Sequence, residues 1–319
     1  MDTSLPTRGR FARRRKWMRS LATTLALFGS IPPSAAQDCE GIETECATTE
    51  YASPTRRDHV GRVAVPVWVD GKGPFLFIVD TGASHSTLSP RLTEKLGLTP
   101  SITPGVWLNG VTGSAQVPTV RIEELRAAEL IVPGGELPVI WSGMMANADG
   151  ILGVAGLKHH RIEVDFKRNR VHISSAPGGS RRGFIRVPAR VVRGGLLVID
   201  VTVGDVRAAA VIDTGAERSL GNMALLKAVQ KKRRTEPGHL ETTVLGATEN
   251  TAKGRVELTP AISLGDTEIN GLWLTYGDFH IFRVWDMNEK PSLILGMDVL
   301  GTLRGFVLDY RAREFLVRA

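Results

Sequence analysis

Cysteine is almost missing from this chain: 319 residues contain two, Cys39 and Cys46. A small scaffold held by many disulfides is thereby excluded. Neither cysteine sits beside a His or Asp arrangement that suggests a metal or a thiol nucleophile. In an oxidising compartment they are compatible with one local bridge, a staple on a leader segment. Aromatic residues make up only 6%, so the core must be built mainly from Val, Leu, Ile and Ala. No apolar run reaches the roughly 20 residues that span a bilayer. There is no Gly-rich phosphate loop, no zinc-ligand spacing and no nucleophile elbow, and no metal or cofactor is expected.

What is present is an ordinary globular composition, 42% hydrophobic and 23% charged, in a chain long enough for two domains. The net charge of +7 invites a nucleic-acid reading, but its location removes it. Residues 1–36 hold seven basic residues and one acid. Taking these from the 40 basic and 33 acidic residues leaves 33 against 32. No nucleic-acid partner is expected.

The first 36 residues are expected to be an export signal. Basic residues end at Arg19, an apolar stretch runs from Leu21 to Ile31, and Ser34, Ala35 and Ala36 offer a cleavage site before Gln37. Arg14-Arg15-Lys16-Trp17-Met18-Arg19 resembles a twin-arginine signal, and an ordinary secretory n-region fits equally well. An uncleaved anchor is the alternative, but no further membrane insertion is expected. The product would be exported, periplasmic or extracellular. Residues 37–58 then form a leader, 59–178 an N-terminal lobe and 179–319 a C-terminal lobe, joined through the Pro/Gly/Ser-rich stretch 176–183.

That division rests on an internal repeat. Residues 75–83 are an apolar run that ends at Asp80-Thr81-Gly82-Ala83, and residues 209–216 are another that ends at Asp213-Thr214-Gly215-Ala216. A strand-like segment precedes each, Val63–Val69 and Leu196–Val203, joined to it by a Gly-containing turn. Downstream, Ile151-Leu152-Gly153 matches Ile294-Leu295-Gly296, and 162–173 matches 306–317. Short helices are expected over Pro90–Leu96, with Ser89 before it and Gly97 after it, and over Asn222–Gln230. The remaining segments read as short β-branched strands, so the class is mainly β.

The paired Asp-Thr-Gly-Ala turns, each with a later Ile-Leu-Gly, resemble the pepsin/retropepsin clan of aspartic peptidases, and the Ala after Gly is similar to the retroviral-type branch. The resemblance covers roughly residues 60 to 317. It implies a bilobal fold of two pseudo-twofold-related β-barrel-like lobes, each with a short helix. It also implies catalysis by Asp80 and Asp213, with Thr81 and Thr214 bonded across the axis and the Ile-Leu-Gly segments packed beneath. Gly82 and Gly215 would let the turns bring backbone N–H groups to the carboxylates. Two carboxylates at contact distance cannot both ionise easily, so one proton is shared; aspartic proteases are the standard illustration. Water would be activated by the ionised member while the protonated one binds the scissile carbonyl. Ala83 and Ala216 stand where pepsin-like members often carry a hydroxyl, which predicts a milder pH optimum than pepsin's.

The resemblance further implies a polypeptide substrate held as an extended strand under β-hairpin flaps. The candidate flaps are 106–120 and 244–258, with Trp107, Leu108, Gly110, Thr112, Gly113, Leu245, Gly246 and Thr248 as candidate substrate contacts. A duplicated chain completes its own site, so a monomer is expected. A non-catalytic peptide-binding module on the same fold is the alternative. Lys158-His159-His160-Arg161 is expected to be a solvated helix end rather than a metal site, and Lys231–Arg234 a solvated helix end whose charges complement the dipole.

Overall fold

The computed structural model describes residues 52–54, 56–57, 61–128, 130–140, 145, 147–175, 182–233 and 240–318. The expected export signal, the leader up to residue 51 with its two cysteines, and the stretch 176–181 lie outside the described residues, whereas Ala52–Pro54 and Arg56–Arg57 of the leader are strands paired to the folded part.

Both copies build the same local frame. In the first, strand Val63–Val69 pairs antiparallel with Lys72–Val79; in the second, Leu197–Val203 pairs with Val206–Ile212. Alternate residues of the leading strands, among them Val63, Val65, Val67 and Val69, are buried, the period-two pattern of a one-sided sheet. The second strands are different. Ile78 and Val79, like Val211 and Ile212, are buried consecutively because both faces are covered. Within the sheet, their hydrogen-bonded neighbours are the Ile-Leu-Gly segments. Gly150–Leu152 runs parallel to Lys72–Val79, and Ser292–Leu295 runs parallel to Val206–Ile212.

Among the described residues five α-helices interrupt the strands: α1 (Pro90–Leu96), α2 (Val154–Leu157), α3 (Met223–Arg233), α4 (His280–Val284) and α5 (Met297–Leu300). The ends of α1 follow from three residues. Ser89 Oγ accepts from Leu92 N (3.1 Å), Pro90 opens the helix, and Gly97 at φ 71° closes it. Asn222 Oδ1 accepts from Leu225 N (2.8 Å) at the start of α3.

The halves join through a sheet to which both contribute. Arg161–Asp165 and Arg170–Ser174 of the first half lie beside Gly305–Asp309 and Glu314–Arg318 of the second, with Ala52–Pro54 and Ile185–Val191 on the flanks. The junction is antiparallel, Arg161 opposite Asp309 and Asp165 opposite Gly305. This corrects one expectation. Arg161 is not part of a solvated helix end but opens a central strand, buried and paired with Asp309 (3.5 Å) and Glu163 (3.6 Å). The register of the junction puts it there. The result is a mainly β, bilobal molecule of 52–318 with a shared floor, and the apolar core runs through both halves.

Candidate active site

Each apolar strand ends at its Asp for a reason visible in the backbone. Asp80 N–H donates to Leu152 O and Asp213 N–H to Leu295 O, both at 3.0 Å, so each Ile-Leu-Gly strand fixes where the turn begins. Beyond the carboxylates the chain is clamped again: Val154 N donates to Ala83 O and Met297 N to Ala216 O, both at 2.8 Å. Ser86 Oγ accepts from Gly153 N (3.1 Å), as Ser219 Oγ does from Gly296 N (2.9 Å).

The two turns meet and interlock. Thr81 Oγ1 donates to Ile212 O (2.7 Å) and accepts from Thr214 N (3.1 Å). Thr214 Oγ1 donates to Val79 O (2.6 Å) and accepts from Thr81 N (3.2 Å). Both threonines are buried, so these four bonds form where unpaired groups would be costly. Asp80 Oδ1 accepts from Gly82 N (2.8 Å) and Ala83 N (2.9 Å); Asp213 Oδ1 accepts from Gly215 N (2.9 Å) and Ala216 N (3.0 Å).

The glycines are needed for a second reason besides the turn. The Cα of Gly82 lies against the carboxyl of Asp213, and that of Gly215 against the carboxyl of Asp80; a methyl on either would collide with it. The carboxyl groups thus face one another across the lobe boundary. Burial pushes Asp80 upward; the Gly82 and Ala83 N–H groups, a hydrogen bond from Asp213 and the charge of Arg62 pull it partly back. Burial and then the charge of Asp80 hold Asp213 well above the usual carboxylate range. The shared hydrogen bond favours charge on Asp80 and the proton on Asp213. Tyr310, buried nearby, is pushed up by burial and by both carboxylate charges, and so stays neutral.

All eight turn and dyad residues predicted from the sequence therefore come together. The flap residues divide. Leu108 leans on the cluster of Ile78, Ile140 and Met145, whereas Trp107 points the opposite way and is 71% exposed. The hairpins are Ser101–Asn109 with Ser114–Ala127, and Leu240–Leu245 with Thr251–Leu258. Their tips touch. Thr112 Oγ1 donates to Asn250 O (2.6 Å), Thr248 Oγ1 to Gly113 O (3.4 Å), and Gly110 lies against Thr248. Leu245 is exposed. Among the described residues no group of three His, Cys, Asp or Glu side chains is placed to hold a metal ion.

Two residues were not anticipated. Arg62, 8% exposed, extends from the start of the first strand and donates to Gly215 O (3.5 Å). Its charge is among the influences that pull Asp80 downward. Its position, 18 residues before Asp80, corresponds to Gly195 before Asp213, so the repeat gave no signal for it. The other is His280 of α4, which bonds to the first hairpin.

A family model described as aspartyl protease matches residues 65–155 and 199–299, one span in each half. No curated protein matches the chain. The two matched spans include Asp80 and Asp213 with their turns and their Ile-Leu-Gly strands. The chain belongs to the aspartyl protease family, as a two-lobed, internally duplicated, retropepsin-like member.

Proposed function

We propose that this protein is an exported aspartic endopeptidase in which Asp80 and Asp213 activate one water against a peptide bond. The observation that carries the reading is the crossed arrangement of the two turns, each glycine cradling the other half's carboxyl. A mere pair of strand-end turns would not need that contact. The unequal surroundings support a division of roles. Asp80, on the side of Arg62, is the ionised member and takes a proton from the water. Asp213, the more deeply buried, keeps its proton and donates it towards the scissile carbonyl oxygen. Water oxygen adds to the carbonyl carbon, the proton on Asp80 passes to the leaving nitrogen, the C–N bond breaks, and Asp213 recovers its proton from the collapsing diol. Preorganised N–H donors on both carboxylates keep them oriented throughout.

The substrate is a polypeptide bound as an extended strand between the hairpin tips and the dyad, with the main chain supplying most hydrogen bonds. Export is supported by the basic, apolar and small-residue order of residues 8–36, and both lobes in one chain support a monomer. The residues 59–178 and 179–319 are proposed as the lobe boundaries.

Purified protein is to be assayed on a peptide library with and without a statine-type inhibitor. Asp80→Asn and Asp213→Asn should each reduce cleavage by at least a thousandfold with circular dichroism unchanged. Cleavage that survives either substitution rejects the mechanism. Inhibitor binding without cleavage of any peptide favours the peptide-binding module instead.

A further inference from the structure

The hairpin tips are held by more than each other. Val111, at the tip of the first hairpin, packs against the second half's cluster of Phe279, Ile281 and Phe282, and its carbonyl accepts from Ile281 N (3.4 Å). Ala247, at the other tip, packs against Ile78, Ile140 and Met145 of the first half. Each tip therefore seats on the opposite lobe. The first also has a polar tie. Ser114 Oγ donates to Asn109 Oδ1 (2.7 Å), which spends its only proton. His280 Nε2 lies 2.9 Å from Ser114 Oγ and 3.2 Å from Asn109 Oδ1, so the imidazole must be the donor, with its proton on Nε2. The carbonyl of Ser114 accepts from Asn250 Nδ2 (3.4 Å), which ties the second hairpin to the same residue. Ser114 is a node: α4 holds the first hairpin, and the first hairpin holds the second.

Helix α4 lies in the part of the second copy that is longer. Asp80 and Gly153 are 73 positions apart, Asp213 and Gly296 are 83 apart. The tie is thus a feature of one lobe grafted onto a duplicated frame.

We propose that His280 is a positioning residue that latches the first hairpin to α4 and sets how often the paired tips part to admit a chain. A peptide long enough to cross the site has to pass the tips, so the latch acts on passage in both directions. It stabilises the closed arrangement equally before and after a ligand is seated. Its removal therefore speeds entry and exit together and leaves affinity nearly unchanged, since only interactions that differ between two states shift the balance between them.

The test has two arms. The first uses hydrogen exchange at the amides of 110–114 in Asp80→Asn protein, and does not require that the protein be a peptidase. His280→Ala is expected to exchange about tenfold faster there, the scale of one or two net hydrogen bonds, with the melting temperature unchanged. His280→Gln, whose amide nitrogen reaches the place of Nε2, should restore the native rate. Ser114→Ala, which leaves α4 untouched, should match His280→Ala. The second arm rests on the peptidase reading: statine-type inhibitor association and dissociation should both quicken about tenfold in His280→Ala, with Kd within about twofold. Unchanged exchange in both alanine variants overturns the latch. So does equal acceleration in His280→Gln, which would assign the effect to packing, and so does a change in dissociation alone, which would make His280 a ligand contact. Failure of the inhibitor to bind native protein, with the exchange pattern as expected, rejects the peptidase reading and leaves the latch standing.

Discussion

At the scale of single residues, the dyad is a place where function opposes stability. Both carboxyls are raised above the ordinary value of 3.8, Asp213 the more strongly. A raised value in the folded state means that folding favours the protonated form. The associated stability is complete below pH 3.8 and is lost as pH rises through the folded value. Asp213→Asn removes that loss: the amide oxygen still accepts from Gly215 N and Ala216 N, and the amide nitrogen donates to Asp80 as the protonated acid does. The variant should melt at least about 2 °C above the native protein at pH 7, and the difference should vanish below about pH 3.8. Calorimetry across pH 3 to 8 checks this, and a difference independent of pH would contradict it. Ala83 offers a second measurement. Its N–H already bonds to Asp80 Oδ1, so a hydroxyl on its side chain would be in reach of the same carboxyl. Ala83→Ser should move the acid limb of kcat/KM down by about one unit, the equivalent of one net hydrogen bond.

At the scale of elements, the two turns act as one clasp. Thr214→Val keeps the shape of the side chain but leaves Val79 O and Thr81 N without their partners in a buried site. The expected loss is about 2–4 kcal/mol by urea unfolding, with kcat lowered about a hundredfold through misplacement of the carboxyls. Thr214→Ser, which restores the oxygen, should recover most of both. The clasp was legible in the sequence because it is written twice, and so was α1, whose Ser89, Pro90 and Gly97 are all local signals. Other elements were not legible, for physical reasons. Helix α4 has five residues, no side-chain cap on Phe279, and a partner some 170 positions away, so nothing local marks its role. Arg161 read as the end of a helix because its strand is defined by pairing with Asp309 rather than by its own pattern. Trp107 was readable as a flap residue, but the face it presents depends on hairpin register, which a sequence of alternating residues does not decide when both faces carry apolar groups.

At the scale of the whole molecule, the shared floor decides whether the lobes stay together. Carboxyl groups cradled by the opposite half's glycine tolerate little relative movement, since a displacement on the order of 1 Å is enough to degrade catalysis. The four inner strands of the floor come two from each half, and at their junction Arg161 and Asp309 form an ion pair across the boundary, with side chains 5% and 4% exposed. Replacing such a pair with apolar groups is often neutral, whereas removing one partner strands a buried charge at roughly 3–5 kcal/mol. Arg161 keeps its Glu163 partner in Asp309→Leu, so this variant should destabilise by less than that, about 1–3 kcal/mol, through the lost bonds from Arg161 and from Ala312 N to Asp309. Arg161→Met combined with Asp309→Leu should recover at least half of the loss. Because the core is continuous through both halves, urea unfolding should remain a single transition, coincident by tryptophan fluorescence and circular dichroism, in every variant. Two separated transitions in Asp309→Leu would mean that the lobes are stable apart and that the floor does not hold them in register. In that case activity and stability would fall at different urea concentrations, with cleavage lost at the lower one.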